Sequence, residues 1–337
     1  MLSLYTAPLE GVTGHIFRHV HQAHFGGADK YFLPFIAPHG DGKIKNRERR
    51  DCDPALNSGI TAVPQILTNA PEVFVMTARY LANLGYREIN LNLGCPSPTV
   101  VTKHKGAGLL EDPAALDRFL DGIFDALRDE VSVSVKTRIG LHDPAEAAAL
   151  FTVFDKYPIA ELIVHPRTRD ELYRGLPHRE IFESYAAGSR CPLVYNGGLY
   201  TVSDIAAFEE AARLRAGRQG AVAAVMCGRG LLRNPALFRA YRDGADLTPD
   251  ALSAFHDALY EAYSAELSGP AAVLGHMKEL WIYWETLLTA DCRKAMKGIR
   301  KAKRTADYEA AVREIFRNGE WLPAGAPPRQ TDKLVLT

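Results

Sequence analysis

The chain has 337 residues, 47% of them hydrophobic and 24% charged, which is enough to bury one large core and a second, smaller one. Its 40 Lys and Arg are matched by 40 Asp and Glu, so overall charge argues neither for nor against a polyanionic partner, and any nucleic-acid site has to be a local patch. Five scattered cysteines (Cys52, Cys95, Cys191, Cys227 and Cys292) without a CxxC pair speak against a zinc site, a redox dithiol or a disulfide framework. No apolar run nears the ~18 residues of a membrane span, and the start, MLSLYTAPLEGVTG, is too short in apolar length for a signal peptide. The expectation is a soluble, cytoplasmic, monomeric protein without metal or membrane.

In chain order, eight β-rich runs stand out, at residues 2–7, 30–36, 61–67, 88–93, 131–137, 160–165, 193–196 and 222–227. Amphipathic helical patterns separate most of them, at 71–84, 113–127, 144–155 and 202–214. Pro71, Pro113 and Pro144 open the first three, where the missing N–H is one that no helix would use. Strand and helix alternating in this way predict an α/β fold, a (β/α)8 TIM barrel of roughly 240 residues against the ~250 typical of that architecture. Residues 37–59 break the regularity. They hold Gly, Pro, Asp and five basic residues without helical period, and read as a long functional loop.

The barrel domain is expected to span 1–243, with 243–249 as a linker. Only helical patterns follow. Leu252, Phe255, Leu259 and Tyr263 mark one face of a first helix, and 271–288, 293–304 and 306–316 are three more. They predict a small C-terminal α-helical bundle domain over 250–320, antiparallel in arrangement, followed by a loose tail at 321–337.

Barrel chemistry lies at the C-terminal ends of the strands. Here those ends carry Pro8-Leu9-Glu10, Gln65, Asn90-Leu-Asn92-Leu-Gly94-Cys95-Pro96, Lys136 with Arg138, His165 with Arg167, Asn196-Gly197-Gly198 and Gly228-Arg229. Glycines after the last two strands let backbone N–H groups approach an anion, the phosphate site that barrels often build there, although tight turns alone would also use them. Lys136 ends an apolar strand, where an ammonium without a purpose is costly to bury. A Schiff base and a cation beside a reduced cofactor both remain open for it. Cys95 stands at the rim between glycine and proline. An ordinary thiol, with a pKa near ~8.5, is mostly protonated at neutral pH and suits a proton donor, whereas an isolated cysteine is more often a small buried hydrophobe.

Together, residues 7–13 (Ala-Pro-Leu-Glu-Gly-Val-Thr), Val63-Pro64-Gln65, Asn90 to Pro96, Val135-Lys136-Thr137-Arg138, Val164-His165-Pro166-Arg167-Thr168-Arg169, Tyr195 to Gly198 and Gly228-Arg229-Gly230 resemble the tRNA-dihydrouridine synthase family, in order over about 230 residues. The Asn-x-Gly-Cys-Pro element followed by His-x-Arg-Thr-Arg is the specific part. The resemblance implies a flavoenzyme with FMN across the barrel mouth, held by Pro8, Leu9, Glu10, Gln65, Lys136, His165, Asn196, Gly197, Gly198, Gly228 and Arg229. It implies NADPH (or NADH) as electron donor, hydride to C6 of a tRNA uridine, and a proton from Cys95 to C5. Asn92, Arg167 and Tyr173 would contact the base. Leu9 stands where many members have methionine, and Pro166 replaces the usual glycine.

A stacked uridine has to be extruded to meet the site, so phosphate contacts elsewhere should supply affinity. Two basic runs suit this purpose. One is Lys43 to Arg50, and the other is Arg293 to Arg304 with Lys297, Arg300, Lys301 and Arg304. Charge runs are usually only solvated faces. The rival readings are a small-molecule flavin reductase of the dihydroorotate or dihydropyrimidine dehydrogenase type, a Schiff-base lyase centred on Lys136, and an RNA-binding module that has lost catalysis.

Overall fold

The computed structural model describes residues 1–215 and 222–328. Its described residues divide into two compact units. The first comprises residues 1–8, 29–198 and the described part of 207–227, and the second comprises 9–28, 199–206 and 228 onward.

The first unit is built on nine parallel strands: β1 (Ser3–Thr6), β2 (Lys30–Phe32), β3 (Ala62–Val63), β4 (Gln65–Ile66), β5 (Glu88–Leu93), β6 (Ser132–Arg138), β7 (Leu162–His165), β8 (Leu193–Tyr195) and β9 (Val222–Cys227). Their order is β3-β2-β1-β9-β8-β7-β6-β5-β4. The ends β3 and β4 are one run of chain interrupted by Pro64, so the sheet closes on itself as the TIM barrel expected from the sequence. The expected single strand at 61–67 is therefore two short ones. Pro64 has no N–H to give to a ladder, and the pairing changes partner across it: β3 pairs with β2, β4 pairs with β5, and the Pro64 carbonyl accepts from Asn90 N at 2.9 Å.

Helices pack where the periodicity places them. Pro113–Ala126 buries Leu116, Phe119, Leu120 and Ile123, spaced three and four apart, and Asp112 caps it by accepting from Ala114 N and Ala115 N. Each such side chain, fully buried, contributes about 1.5–3 kcal/mol of transfer free energy. Pro71–Asn83 matches its expectation, whereas the 144–155 pattern begins as a 3-10 turn (Pro144–Glu146) before the α-helix Ala147–Phe154. Residues 37–59 are not wholly irregular. Asn46–Asp51 is a short helix rich in good helix formers, followed by the 3-10 turn Pro54–Asn57.

The second unit is helical. Leu252, Phe255, Leu259 and Tyr263 are all buried on Pro249–Glu266, which Thr248 caps. They share a core with Phe17, Trp281, Trp284 and Tyr308. Polar atoms inside this core find each other: the Tyr308 hydroxyl meets His256 Nε2 at 2.7 Å and accepts from Trp281 Nε1 at 3.0 Å. The third expected helix is shorter than its basic run, Arg293–Lys301. Lys303 and Arg304 fall outside it, and Arg304 stands at the start of Thr305–Asn318. The tail begins tied, not loose, because Leu322 N donates to Leu287 O and Arg233 donates to Ala324 O. Residues 329–337 of that tail lie outside the described residues. No helix among the described residues is long and apolar enough to cross a membrane.

Candidate active site

The barrel has two polar ends of opposite character. At the N-terminal ends of the strands, Lys30 Nζ meets Glu88 at 2.7 Å and Glu161 at 2.9 Å, and the Tyr5 hydroxyl donates to Glu161 at 2.6 Å. Burial opposes the Lys30 charge, but the two carboxylates outweigh it and raise its pKa. Burial, then the bond to Glu161, raises that of Tyr5. The lysine at this end is fully matched by carboxylates.

The C-terminal ends carry a ladder of amides. Gln65 donates to Asn90 Oδ1 at 2.7 Å, Asn90 donates to Ser134 Oγ at 2.9 Å, and Asn92 donates to Gln65 Oε1 at 2.6 Å. Asn92 Oδ1 then accepts from Gly94 N at 3.1 Å and Cys95 N at 2.9 Å. The Asn-x-Gly-Cys spacing thus places a side-chain acceptor over the turn that carries the thiol. From the other side, Ala107 N donates to Cys95 O at 3.1 Å. Gly106 permits that approach: its φ is +56°, and a Cβ there would lie 3.0 Å from Cys95 Cβ. Cys95 is partly exposed, while the other four cysteines are buried. Gln65, expected at the cofactor, is completely buried with its amide given to Asn90 and Asn92. The contact it makes here is with Asn92, which it holds in place.

Lys136, on β6, is half-buried and makes no hydrogen bond or ion pair among the described residues. Burial, then the neighbouring Arg138 charge, pushes its pKa down to about 7, while Cys95 acts in the opposite direction. An ammonium left without a counter-ion beside a thiol is a site ready for electron-rich atoms, which fits a flavin whose reduced form gathers negative charge. His165 is fixed as a neutral ring. Its Nδ1 lies 2.6 Å from the Asn196 carbonyl, which can only accept, and its Nε2 lies 3.3 Å from Arg167 Nη1, which can only donate. Burial and the charges of Arg138, Lys136 and Arg167 hold its pKa well below the usual histidine range. In this arrangement the single ring N–H is committed to Asn196 and does not donate to a ligand.

Arg167 is buried, and it donates to the carbonyls of Arg174 at 3.3 Å and Gly175 at 2.8 Å. Arg138, which the sequence motif contains without revealing a role for it, is also buried and donates to the carbonyls of Gly94, Thr168 and Leu172. Burial lowers its pKa, Tyr173 counters that and the Arg167 charge adds to it, leaving it at about 10. Tyr173 lies between these groups, its ring 5.9 Å from His165 and 5.6 Å from the Arg138 guanidinium. Asn92, Cys95, Lys136, His165, Arg167 and Tyr173 thus come together, with Asn196 alongside, whose side chain donates to Met226 O at 2.8 Å. Gly197 and Gly198 are packed against Pro177, and Gly198 has φ +65°, so the absence of side chains there serves the turn itself. Pro8 also belongs to this unit.

The remaining expected residues belong to the second unit. Leu9 N donates to Thr13 Oγ1 at 2.8 Å, and Glu10 is exposed. Gly228 precedes the short helix Arg229–Arg233, and the Arg229 guanidinium lies over the Tyr200 ring at 5.7 Å. Gly230 is required there, because a Cβ would come within 2.0 Å of Leu199 O. Lys297, Arg300, Lys301 and Arg304 are all exposed, whereas Met296 and Ile299 of the same helix are buried. Arg300 pairs with Glu285, and Arg304 pairs with Asp307 at 3.8 Å.

Residues 5–323 match the family described as Dihydrouridine synthase (Dus). The chain is 32% identical over 254 residues to the tRNA-dihydrouridine(16) synthase of Cupriavidus necator, covering 74% of this chain and 76% of that one. It is 29% identical to the protein of the same name from Pseudomonas putida, over 91% and 94% of the two chains. It is 30% identical to the probable tRNA-dihydrouridine synthase 2 of Bacillus subtilis, over 82% and 83%. Among solved structures, the histamine dehydrogenase of a Rhizobium species superposes with a TM-score of 0.53 at 13% identity, over 72% of this chain and 45% of that one. A 2-naphthoyl-CoA reductase gives 0.52 at 10%, over 72% and 50%. These two likenesses concern the barrel fold only.

Proposed function

The chain belongs to the dihydrouridine synthase family, and from that premise we propose that it reduces a uridine of tRNA to 5,6-dihydrouridine with electrons from NADPH (or NADH). When bound, FMN supplies the hydride that reaches C6. Cys95 delivers its thiol proton to C5, so that hydride and proton together saturate the double bond. Asn92 and Gln65 hold the thiol's turn, Tyr173 offers a ring face to the base, and Lys136 provides the positive charge that an electron-rich ring needs. Pro8, Asn196, Gly197 and Gly198 of the barrel unit would hold the cofactor, as the family resemblance implies. Affinity for tRNA falls to the exposed basic residues Lys297, Arg300, Lys301 and Arg304.

The observation that carries this reading is the partly exposed Cys95, fixed by Asn92, beside Lys136, which has no hydrogen-bond or ion-pair partner among the described residues. A Schiff-base lyase would use that lysine, but it leaves a thiol fixed from both sides without a role. Incubating the protein with FMN, NADPH and tRNA from a strain lacking it, then mapping dihydrouridine, tests the proposal. Position 16, which the names of two relatives carry, is the first to inspect. A protein that cannot be reconstituted with FMN, or tRNA left unchanged at every uridine, would refute it.

A further inference from the structure

Arg138 is buried, and its guanidinium is held by backbone carbonyls. Its Nε donates to the Gly94 carbonyl at 3.0 Å, and its Nη1 donates to Thr168 O at 2.8 Å and Leu172 O at 3.0 Å. The guanidinium lies over the Tyr173 ring. Gly94 precedes Cys95, and Leu172 precedes Tyr173. One guanidinium therefore grips the peptide on the N-terminal side of both the thiol and the ring. Leu172 is held at φ +53°, a left-handed conformation that is unfavourable for a residue with a side chain, so its surroundings have to impose it. A planar fork with diverging donors can span such acceptors, whereas the compact ammonium of a lysine cannot reach them all.

We propose that Arg138 is a positioning residue for proton transfer, holding the Cys95 turn in register with the Tyr173 loop so that thiol and stacking ring reach the same base together. This rests on the reading of Cys95 as the acid. Misplacement of a reacting group by about 1 Å can cost roughly 100-fold in rate, which sets the expected scale.

The test uses the FMN-loaded enzyme with Arg138→Lys, which keeps the charge and loses the fork. Flavin reduction by NADPH and the KM for tRNA should stay within about threefold of wild type, while kcat for dihydrouridine falls about 10- to 100-fold. Alkylation of Cys95 by iodoacetamide, in which the sulfur displaces iodide, should show a changed plateau rate at an unchanged apparent pKa, with Cys95→Ala as blank. A kcat within about twofold of wild type, or a loss confined to KM, overturns the clamp. If Arg138→Lys does not fold, replacing residues 170–174 by Gly-Gly removes the Leu172 acceptor from the outside. That variant should shift the same alkylation plateau, and an unshifted plateau overturns the proposal. A Cys95→Ala enzyme with near-normal turnover refutes the acid reading instead, which separates the two failures.

Discussion

Two lysines of one barrel have opposite surroundings. Lys30, at the N-terminal end of β2, is matched by Glu88 and Glu161 and is held charged. Lys136, near the C-terminal end of β6, has no carboxylate partner among the described residues, and its charge is opposed by burial and by Arg138. The same side chain is thus a satisfied structural cation at one end and an unsatisfied one at the other. That contrast follows the division of a TIM barrel into a stability face and a chemical face. The lesson extends to Arg138, whose guanidinium is met by backbone carbonyls in place of a carboxylate.

The largest expected effect tests whether the mouth's thiol belongs to the chemistry. Cys95→Ala should leave flavin reduction by NADPH intact and lower dihydrouridine formation by roughly 10²–10⁴-fold, the range of a lost general acid. Near-normal turnover would remove Cys95 from the role. Exchanging the fates of the two lysines comes next. Lys30→Met strands Glu88 and Glu161 and should destabilise the protein by about 3 kcal/mol in urea unfolding. Lys136→Met should leave the apoprotein as stable or more so, yet lose flavin or slow its reduction. Equal destabilisation by both would erase the contrast.

A smaller effect lies outside the barrel. Reversing charge at Arg300, Lys301 and Arg304 should weaken tRNA binding and flatten its salt dependence by up to about 0.9 log unit per lost phosphate contact, with NADPH oxidation by an artificial acceptor unchanged. An unaltered salt slope would show that this run is only a solvated face. A last effect is in pH. Between about 7 and ~10.4 the unfolded chain holds a proton that Lys136 has released in the fold, so apoprotein stability should rise with pH there, and Lys136→Met should flatten the rise. Lys30 behaves oppositely. Its raised pKa contributes stability present below ~10.4 and lost as pH climbs through the folded value, a fall that Lys30→Met should abolish.

The barrel is legible in the sequence because strands and helices repeat with distinct periods, and because Pro71, Pro113 and Pro144 punctuate them. Pro64 splits a strand that its apolar run makes look continuous. In the site, position alone points to Cys95 and Lys136, and the family resemblance adds Tyr173. It does not reveal what Arg138 does, since the acceptors are backbone carbonyls, which every residue owns and no sequence marks. Leu172's left-handed backbone leaves no trace either, because leucine is not a residue that advertises such a turn. The resemblance makes Gln65 a cofactor contact, and no sequence pattern reveals the amide ladder in which it bonds to Asn90 and Asn92.

The most direct measurement is the product of a single turnover. The FMN-loaded protein, reduced with NADPH and mixed without oxygen with tRNA from a strain lacking it, should reoxidise its flavin while one dihydrouridine appears per flavin at a single tRNA position. Reoxidation by orotate or a free pyrimidine base, with the tRNA unchanged, would contradict the account and favour a small-molecule reductase.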